Sequence, residues 1–235
     1  HHDDTNYGIG WEGDEGRSDV KSVCGDYPAV ISFDLGHLEL GDTLSLDKVP
    51  FSKIRREILN QYKRGGLSSL SWHLRNPLTG GDSWDVSDTT VVKSILPGGA
   101  NHEKFAGWVS KVSAFINSLQ TEDGVKVPVL FRPWHEHTGS WFWWGEKLCT
   151  PEEYKALWHM TVDILRSDGV DNALYAYSPG SEPQDTAQYL KRYPGDDLID
   201  VIGFDTYQFD RPSYLANVGK SLAIVDSIGL SLIHI

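Results

Sequence analysis

Short apolar runs alternate with longer amphipathic stretches along most of the chain. "AVISFDLG" (29–36) reads as a buried strand, and "FSKIRREILNQYKRGG" (51–66) carries apolar residues at helical spacing until Gly65 and Gly66 stop it. "LSSLSWHL" (67–74) is the next strand, "HEKFAGWVSKVSAFINSLQ" (102–120) an amphipathic helix, and "VPVLFRPWHE" (127–136) a strand again. A helix over 150–169 opens on Thr-Pro-Glu-Glu, a capping-box pattern, and closes at Gly169. "ALYAYSPG" (173–180), a weaker helix near 184–192, "LIDVIGFDTYQ" (198–208) and a helix at 213–228 continue the alternation. Residues 75–100 interrupt it with a Gly/Asp/Ser/Pro-rich excursion, long enough to carry function or to be disordered.

Strands alternating with helices imply a parallel sheet. With the N-terminal segment counted as the exit of a first strand, the pattern gives about six βα units. No Gly-rich dinucleotide or phosphate fingerprint follows any strand, which favours an α/β fold of the (β/α)8 TIM-barrel kind over a doubly wound sheet. Such a barrel needs eight units and typically about 250 residues. The expectation is therefore one incomplete barrel of six to seven units over 1–228, followed by a tail, 229–235, that is either aberrant or a truncated seventh strand.

Barrel chemistry collects at the carboxyl ends of the strands. Those ends carry His1, His2, Asp3 and Asp4, then Asp34, then Trp72 and His73, then Arg132, His135 and Glu136, then Ser178 and Glu182, and finally Asp205 and Tyr207. The opposite strand ends carry no comparable set, and this asymmetry points to an enzyme.

Composition narrows the partners. The net charge is -12, from 33 acids against 21 bases without a Lys/Arg cluster, so nucleic acid and anionic membrane surfaces are excluded as partners. No run reaches the roughly 20 apolar residues of a membrane span, and no signal peptide opens the chain. Nine Trp, ten Tyr and eight Phe are an excess that suits a sugar-lining surface as well as it suits a large core. Cys24 and Cys149 have no metal or redox spacing and are left as one disulfide or two thiols.

The densest chemistry lies in "FRPWHEHTGSWFWWGE" (131–146). Glycosidic cleavage needs a protonated acid at the leaving oxygen and a second carboxylate as nucleophile or base. Glu136, beside His135 and among Trp134, Trp141, Trp143 and Trp144, has the water-poor surroundings that suit a proton donor. Nothing resembles a nucleophile elbow for acyl transfer. A metal held by alternate members of His1, His2, Asp3 and Asp4 is a weaker rival, and His135-Glu136-His137 is not a zinc motif. No metal or other cofactor is expected.

"RPWHEHTGSWFWWG" closely resembles the acid/base motif of glycoside hydrolase family 26, the β-mannanases and their relatives. "LSWHLRNPLTGGDSWD" (70–85) and "VIGFDTYQ" (201–208) resemble two further segments of that family, in the same order. The resemblance implies a retaining (β/α)8 endo-β-1,4-mannanase acting on mannan, galactomannan or glucomannan, monomeric, and secreted, periplasmic or at the cell surface. It makes Glu136 the acid/base and His135 a shaper of the sugar site. His73 and Trp72 become substrate-binding side chains, and Trp141 and Trp144 sugar-flanking aromatics. Tyr207 would hydrogen-bond the nucleophile, and Asp205 would orient that group or a sugar hydroxyl. One departure stands out: the family's nucleophile is a glutamate ending the seventh strand, and "GLSLIHI" holds no Glu or Asp. The chain is therefore expected to be catalytically inactive. Three alternatives remain open at this point. The substrate could be a β-glucan or xylan, the chain could be a non-catalytic mannan-binding module, or Asp205, Glu182 or Asp34 could serve as the second carboxylate.

Overall fold

A computed structural model describes residues 18–207 and 210–228 of the chain. The expected first strand, the His1–Asp4 group and the tail all lie outside the described residues. A short helix α1 (Asp19–Cys24) leads into β1 (Val30–Asp34), α2 (Phe51–Lys63) and β2 (Leu67–Ser71). Then follow α3 (Val91–Ile95), α4 (His102–Asn117), β3 (Val129–Arg132), α5 (Pro151–Ser167) and β4 (Ala173–Tyr177). The order ends with α6 (Thr186–Leu190), β5 (Val201–Ile202) and α7 (Arg211–Ile228). All five strands expected within the described residues are present, and they lie in chain order in one sheet, β1-β2-β3-β4-β5. The β1–β2 pair is parallel with Asp34 opposite Ser71, and β4–β5 is parallel with Tyr177 opposite Ile202.

These elements form for local reasons. Val109, Val112 and Ile116 of α4 recur on one helical face and are fully buried, as are Tyr154, Leu157, Trp158, Val162 and Leu165 of α5. Each such side chain stabilises by roughly 1.5–3 kcal/mol before entropy is charged. The α5 capping box forms as the sequence implies: Thr150 N–H donates to Glu153 Oε2 at 2.9 Å and Glu153 N–H to Thr150 Oγ1 at 3.1 Å. At the end of α2, Gly65 takes φ 81°, a conformation that favours glycine, and its N–H closes on the Tyr62 carbonyl. β2 is buried on both faces, as a parallel strand inside an α/β fold must be.

Two helices were not foreseen, α1 and α3. The excursion after β2 contains α3, whose Val91, Val92 and Ile95 are fully buried. Three apolar residues in a Gly/Asp/Ser-rich stretch give too little periodicity to announce a helix.

The chain divides into two compact units. Of the described residues, the first takes 18–75, 107–131 and 164–174, the second 76–106, 132–163, 175–207 and 210–228. No helix of the described residues is long and apolar enough to cross a membrane. Cys24 is an exposed thiol and Cys149 a buried one; neither is in a disulfide.

Candidate active site

In the second unit, three successive strands deliver polar groups just past their carboxyl ends. Arg132 ends β3, Ser178 follows β4, and Asp205 follows β5. Arg132 Nη1 contacts both oxygens of Asp205, at 2.9 and 2.7 Å, and Ser178 Oγ donates to Asp205 Oδ2 at 2.5 Å. Burial pushes the Asp205 carboxyl above the ordinary range; the Arg132 cation and the Ser178 hydroxyl oppose it, and the nearby charge of Glu136 adds to it. With both oxygens engaged, Asp205 is built to position its neighbours.

Glu136 sits on the turn after β3 and is 7% exposed. Its N–H donates to the Ser178 carbonyl at 2.8 Å, which ties the turn to the end of β4. Tyr207 Oη donates to Glu136 Oε1 at 2.7 Å, and Trp141 Nε1 donates to Glu136 Oε2 at 2.9 Å. Burial first, then the Glu136 hydrogen bond and charge, hold the Tyr207 phenol well above its ordinary range, so it remains a donor. Both donors face solvent: Trp141 is 41% and Tyr207 62% exposed. Trp141 folds back onto the carboxylate over Gly139, where a Cβ would collide with the indole ring. Trp134 and Glu136 both have positive φ, 55° and 53°, each costing about 1–2 kcal/mol in a residue with a Cβ. That strain breaks the in-out alternation of an extended strand and turns the Glu136 side chain toward its two donors.

An aromatic mass supports the turn. Trp134 meets Trp143 and Trp144 edge-on, each at 5.6 Å between centroids, and Phe142 stacks on Trp144 at 4.5 Å. Pairs of this kind contribute about 0.5–1.5 kcal/mol each beyond area burial. Half-exposed Trp84 lies 5.4 Å from Phe142, and Trp141 lies 6.4 Å from the same ring.

The first unit holds a separate polar cluster at the ends of β1 and β2. Asp34 Oδ1 accepts from the N–H groups of Gly36 at 2.7 Å and His73 at 3.2 Å. Its Oδ2 accepts from Ser71 Oγ at 2.7 Å and lies 2.6 Å from His73 Nδ1. Burial works to raise the Asp34 carboxyl, but the hydrogen bond and charge of His73, with Ser71 and Gly36, outweigh it and hold the group well below the aspartate range. An ionised Asp34 only accepts, so the His73 proton is on Nδ1. The tight chain path needs glycine at 36, where a Cβ would run into Leu46 and the His73 carbonyl.

Burial corrects three expectations. Trp72 is fully buried, and its Nε1 donates to Glu39 Oε2 at 3.1 Å. Trp144 is also fully buried, and its Nε1 donates to the His135 carbonyl at 2.9 Å. His135, at 1% exposure, packs its ring against Phe142 and Trp144. All three are packed in the interior, where they support their neighbours. Tyr207 differs too, since its hydroxyl goes to Glu136 itself. Nothing local announces Tyr154, whose hydroxyl donates to the Trp134 carbonyl at 2.7 Å, because a helix-face tyrosine looks like ordinary core.

With strand-end carboxylates, solvent-facing aromatics and a strained acid turn in place, the comparison with known families becomes specific. The profile of glycosyl hydrolase family 26 matches residues 7–227. The chain belongs to glycosyl hydrolase family 26. Its fold is accordingly that of a (β/α)8 barrel, of which the described residues supply five consecutive strands. A GH26 β-mannanase from Bacteroides ovatus superposes with a TM-score of 0.96 at 61% identity, covering 99% of this chain and 67% of that one. A mannan endo-1,4-beta-mannosidase of Bifidobacterium adolescentis is 39% identical over 201 residues, 83% of this chain and 20% of its own length. A Bacillus subtilis enzyme of the same name is 27% identical over 217 residues, 87% of this chain and 57% of its own length. The chain thus spans between a fifth and three fifths of these two curated relatives.

Proposed function

We propose that this family 26 glycosidase chain is part of a retaining endo-β-1,4-mannanase, with Glu136 as its acid/base. The observation that carries the reading is Glu136 itself: a buried carboxylate whose two oxygens are held by solvent-facing Trp141 and Tyr207. A polysaccharide can reach such a group, and its donors can follow the carboxylate as it gives and regains a proton. In the first step Glu136 protonates the leaving oxygen while a second carboxylate attacks the anomeric carbon and the glycosidic bond breaks. In the second, Glu136 takes a proton from water, whose oxygen displaces the enzyme carboxylate; retention requires the two carboxyl groups about 5–5.5 Å apart.

The second carboxylate is assigned to a glutamate outside these 235 residues. Asp205 is committed to Arg132 and Ser178, Glu182 accepts from Thr138 Oγ1 at 2.6 Å, and Asp34 serves four donors. Trp141, through its exposed ring, and His73, through its half-open imidazole, are proposed as sugar-binding side chains. The substrate class is β-mannan, because the relatives above are named as mannanases. Action on an extracellular polymer places the enzyme outside the cytoplasm, as a secreted, periplasmic or cell-surface monomer.

Calorimetry with mannohexaose, cellohexaose and xylohexaose, alongside a reducing-sugar assay on galactomannan, tests this. Mannohexaose is expected to bind at least tenfold more tightly than the other two, with no sugar released. Equal binding of cellohexaose would sink the substrate assignment, and hydrolysis by these residues alone would sink the external nucleophile.

A further inference from the structure

Arg192, two residues past α6, is 2% exposed. Among the described residues no carboxylate pairs with it. Burying a guanidinium without an acid is costly, and the cost is tolerable only when its hydrogen bonds are satisfied in good geometry. Here Nη1 and Nη2 go mainly to main-chain carbonyls, Nη1 to His137 at 2.7 Å and Nη2 to Trp144 at 3.2 Å and Cys149 at 3.5 Å, with Cys149 Sγ also 2.8 Å from Nη2, while Nε finds no partner among the described residues. The flat face of the guanidinium lies 4.3 Å over the Tyr154 ring.

These contacts complete a pattern along the acid turn. Four consecutive carbonyls are each taken by a different donor. Trp134 is held by Tyr154 Oη at 2.7 Å, His135 by Trp144 Nε1 at 2.9 Å, Glu136 by the Gly139 N–H at 3.0 Å, and His137 by Arg192 Nη1 at 2.7 Å. The same guanidinium reaches the carbonyls of Trp144 and Cys149, so it ties the backbone on both sides of the segment carrying Trp141. Two residues of the turn, Trp134 and Glu136, sit at positive φ, and such conformations persist only where the surroundings over-determine them.

We propose that Arg192 is a positioning residue for the acid/base: its guanidinium clamps the His137, Trp144 and Cys149 carbonyls, so that the backbone carrying Glu136 and Trp141 keeps one path. The proposal rests on reading Glu136 as the acid/base, but the clamp itself is tested without that reading. Arg192 also lines an open cavity of about 320 Å³ shared with Cys149, Lys191 and Glu153. Removing the side chain would enlarge this space, and a small guanidinium could enter it from solvent.

The test compares the unmodified chain with Arg192→Lys and Arg192→Ala by amide hydrogen exchange and by mannohexaose affinity. Lysine keeps the charge but cannot span three carbonyls. Exchange over 134–146 is expected to accelerate about a hundredfold in both variants, while 30–34 and 67–71 change less than threefold. Millimolar methylguanidine should restore at least tenfold of that protection in Arg192→Ala, and mannohexaose affinity should fall about tenfold in both variants and recover with it. Exchange that rises evenly along the chain, or stays unchanged over 134–146, overturns the clamp. If Arg192→Ala does not fold, Arg192→Lys decides by the same contrast; failure of both to fold also overturns it, since the role would then be general stability. Absence of mannohexaose binding by the unmodified chain would refute the mannanase reading, yet the exchange contrast would still judge the clamp.

Discussion

Asp34 and Glu136 are both buried carboxylates with both oxygens hydrogen-bonded, and the protein holds them in contrasting ways. Asp34 is gripped by two backbone N–H groups, a buried serine and the His73 ring, at the ends of paired strands. Glu136 stands on a strained turn, and among the described residues its carboxylate is met by two side chains that are themselves half open to water. The first arrangement locks one protonation state. The second lets donors shift as a proton comes and goes, which an acid/base needs and a structural anion does not. Burial alone does not separate the two settings; the exposure of the partners does.

The largest expected effect comes from attacking the locked anion. Asp34→Asn replaces an accepting oxygen with a donor facing Ser71 Oγ and His73 Nδ1–H. It should cost about 3 kcal/mol of stability in urea unfolding, the range for breaking a buried ion pair from one side. A loss below about 1 kcal/mol would erase the contrast.

A pH scan of unfolding separates the two regions next. Asp34 is held below its unfolded value near 3.9, so its contribution is complete above that pH and is lost only as the pH falls below it. His137, one residue from Glu136, behaves differently. Its ring lies 4.4 Å from Tyr154 and 4.8 Å from Tyr177, neither ring nitrogen has a hydrogen-bond partner among the described residues, and burial first, with the Arg192 cation second, pushes its pKa well below 6.5. Its folded pKa lies below its unfolded one, so stability is complete above about pH 6.5 and declines as the pH falls below that value. The acid turn should therefore weaken first, between about pH 6.5 and 4. His137→Phe should abolish that early loss while leaving the later one; an unchanged profile would rule the assignment out.

The smallest effect on stability should come from the open donors. Trp141→Phe and Tyr207→Phe each remove one hydrogen bond to Glu136 and keep a ring, and each should shift unfolding by less than about 1 kcal/mol. Mannohexaose affinity should nonetheless fall several-fold in calorimetry. Stability losses matching that of Asp34→Asn would mean that Glu136 is locked after all.

Much of this was readable in the sequence. The five described strands, the four long helices α2, α4, α5 and α7 and the short α6 follow from apolar spacing and Gly stops, and the candidacy of Glu136 follows from its place at a strand end among aromatics. The side-chain directions did not follow. Trp143 and Trp144 are both buried, although alternation along an extended segment would turn one outward, because positive φ at Trp134 and Glu136 and the turns after them abolish that alternation. Trp72 was misjudged for a related reason: its partner, Glu39, lies 33 residues away and nothing local announces it. Arg192 sits in "LKRYPG", which reads as a solvated surface stretch, and only tertiary packing shows it to be interior.

The Trp141–Glu136 hydrogen bond also has an optical consequence. Among the described tryptophans only Trp84 and Trp141 stand largely in solvent, while Trp72, Trp134, Trp143, Trp144 and Trp158 are sealed in the interior. Among the described residues, red-edge fluorescence and collisional quenching therefore report chiefly on these two indoles, with half-buried Trp108 a lesser contributor, and Trp141 has its N–H bound to Glu136. Emission from Trp141 should change as Glu136 gains or loses its proton or a sugar covers the ring, giving the protein an intrinsic dye beside its proposed proton donor.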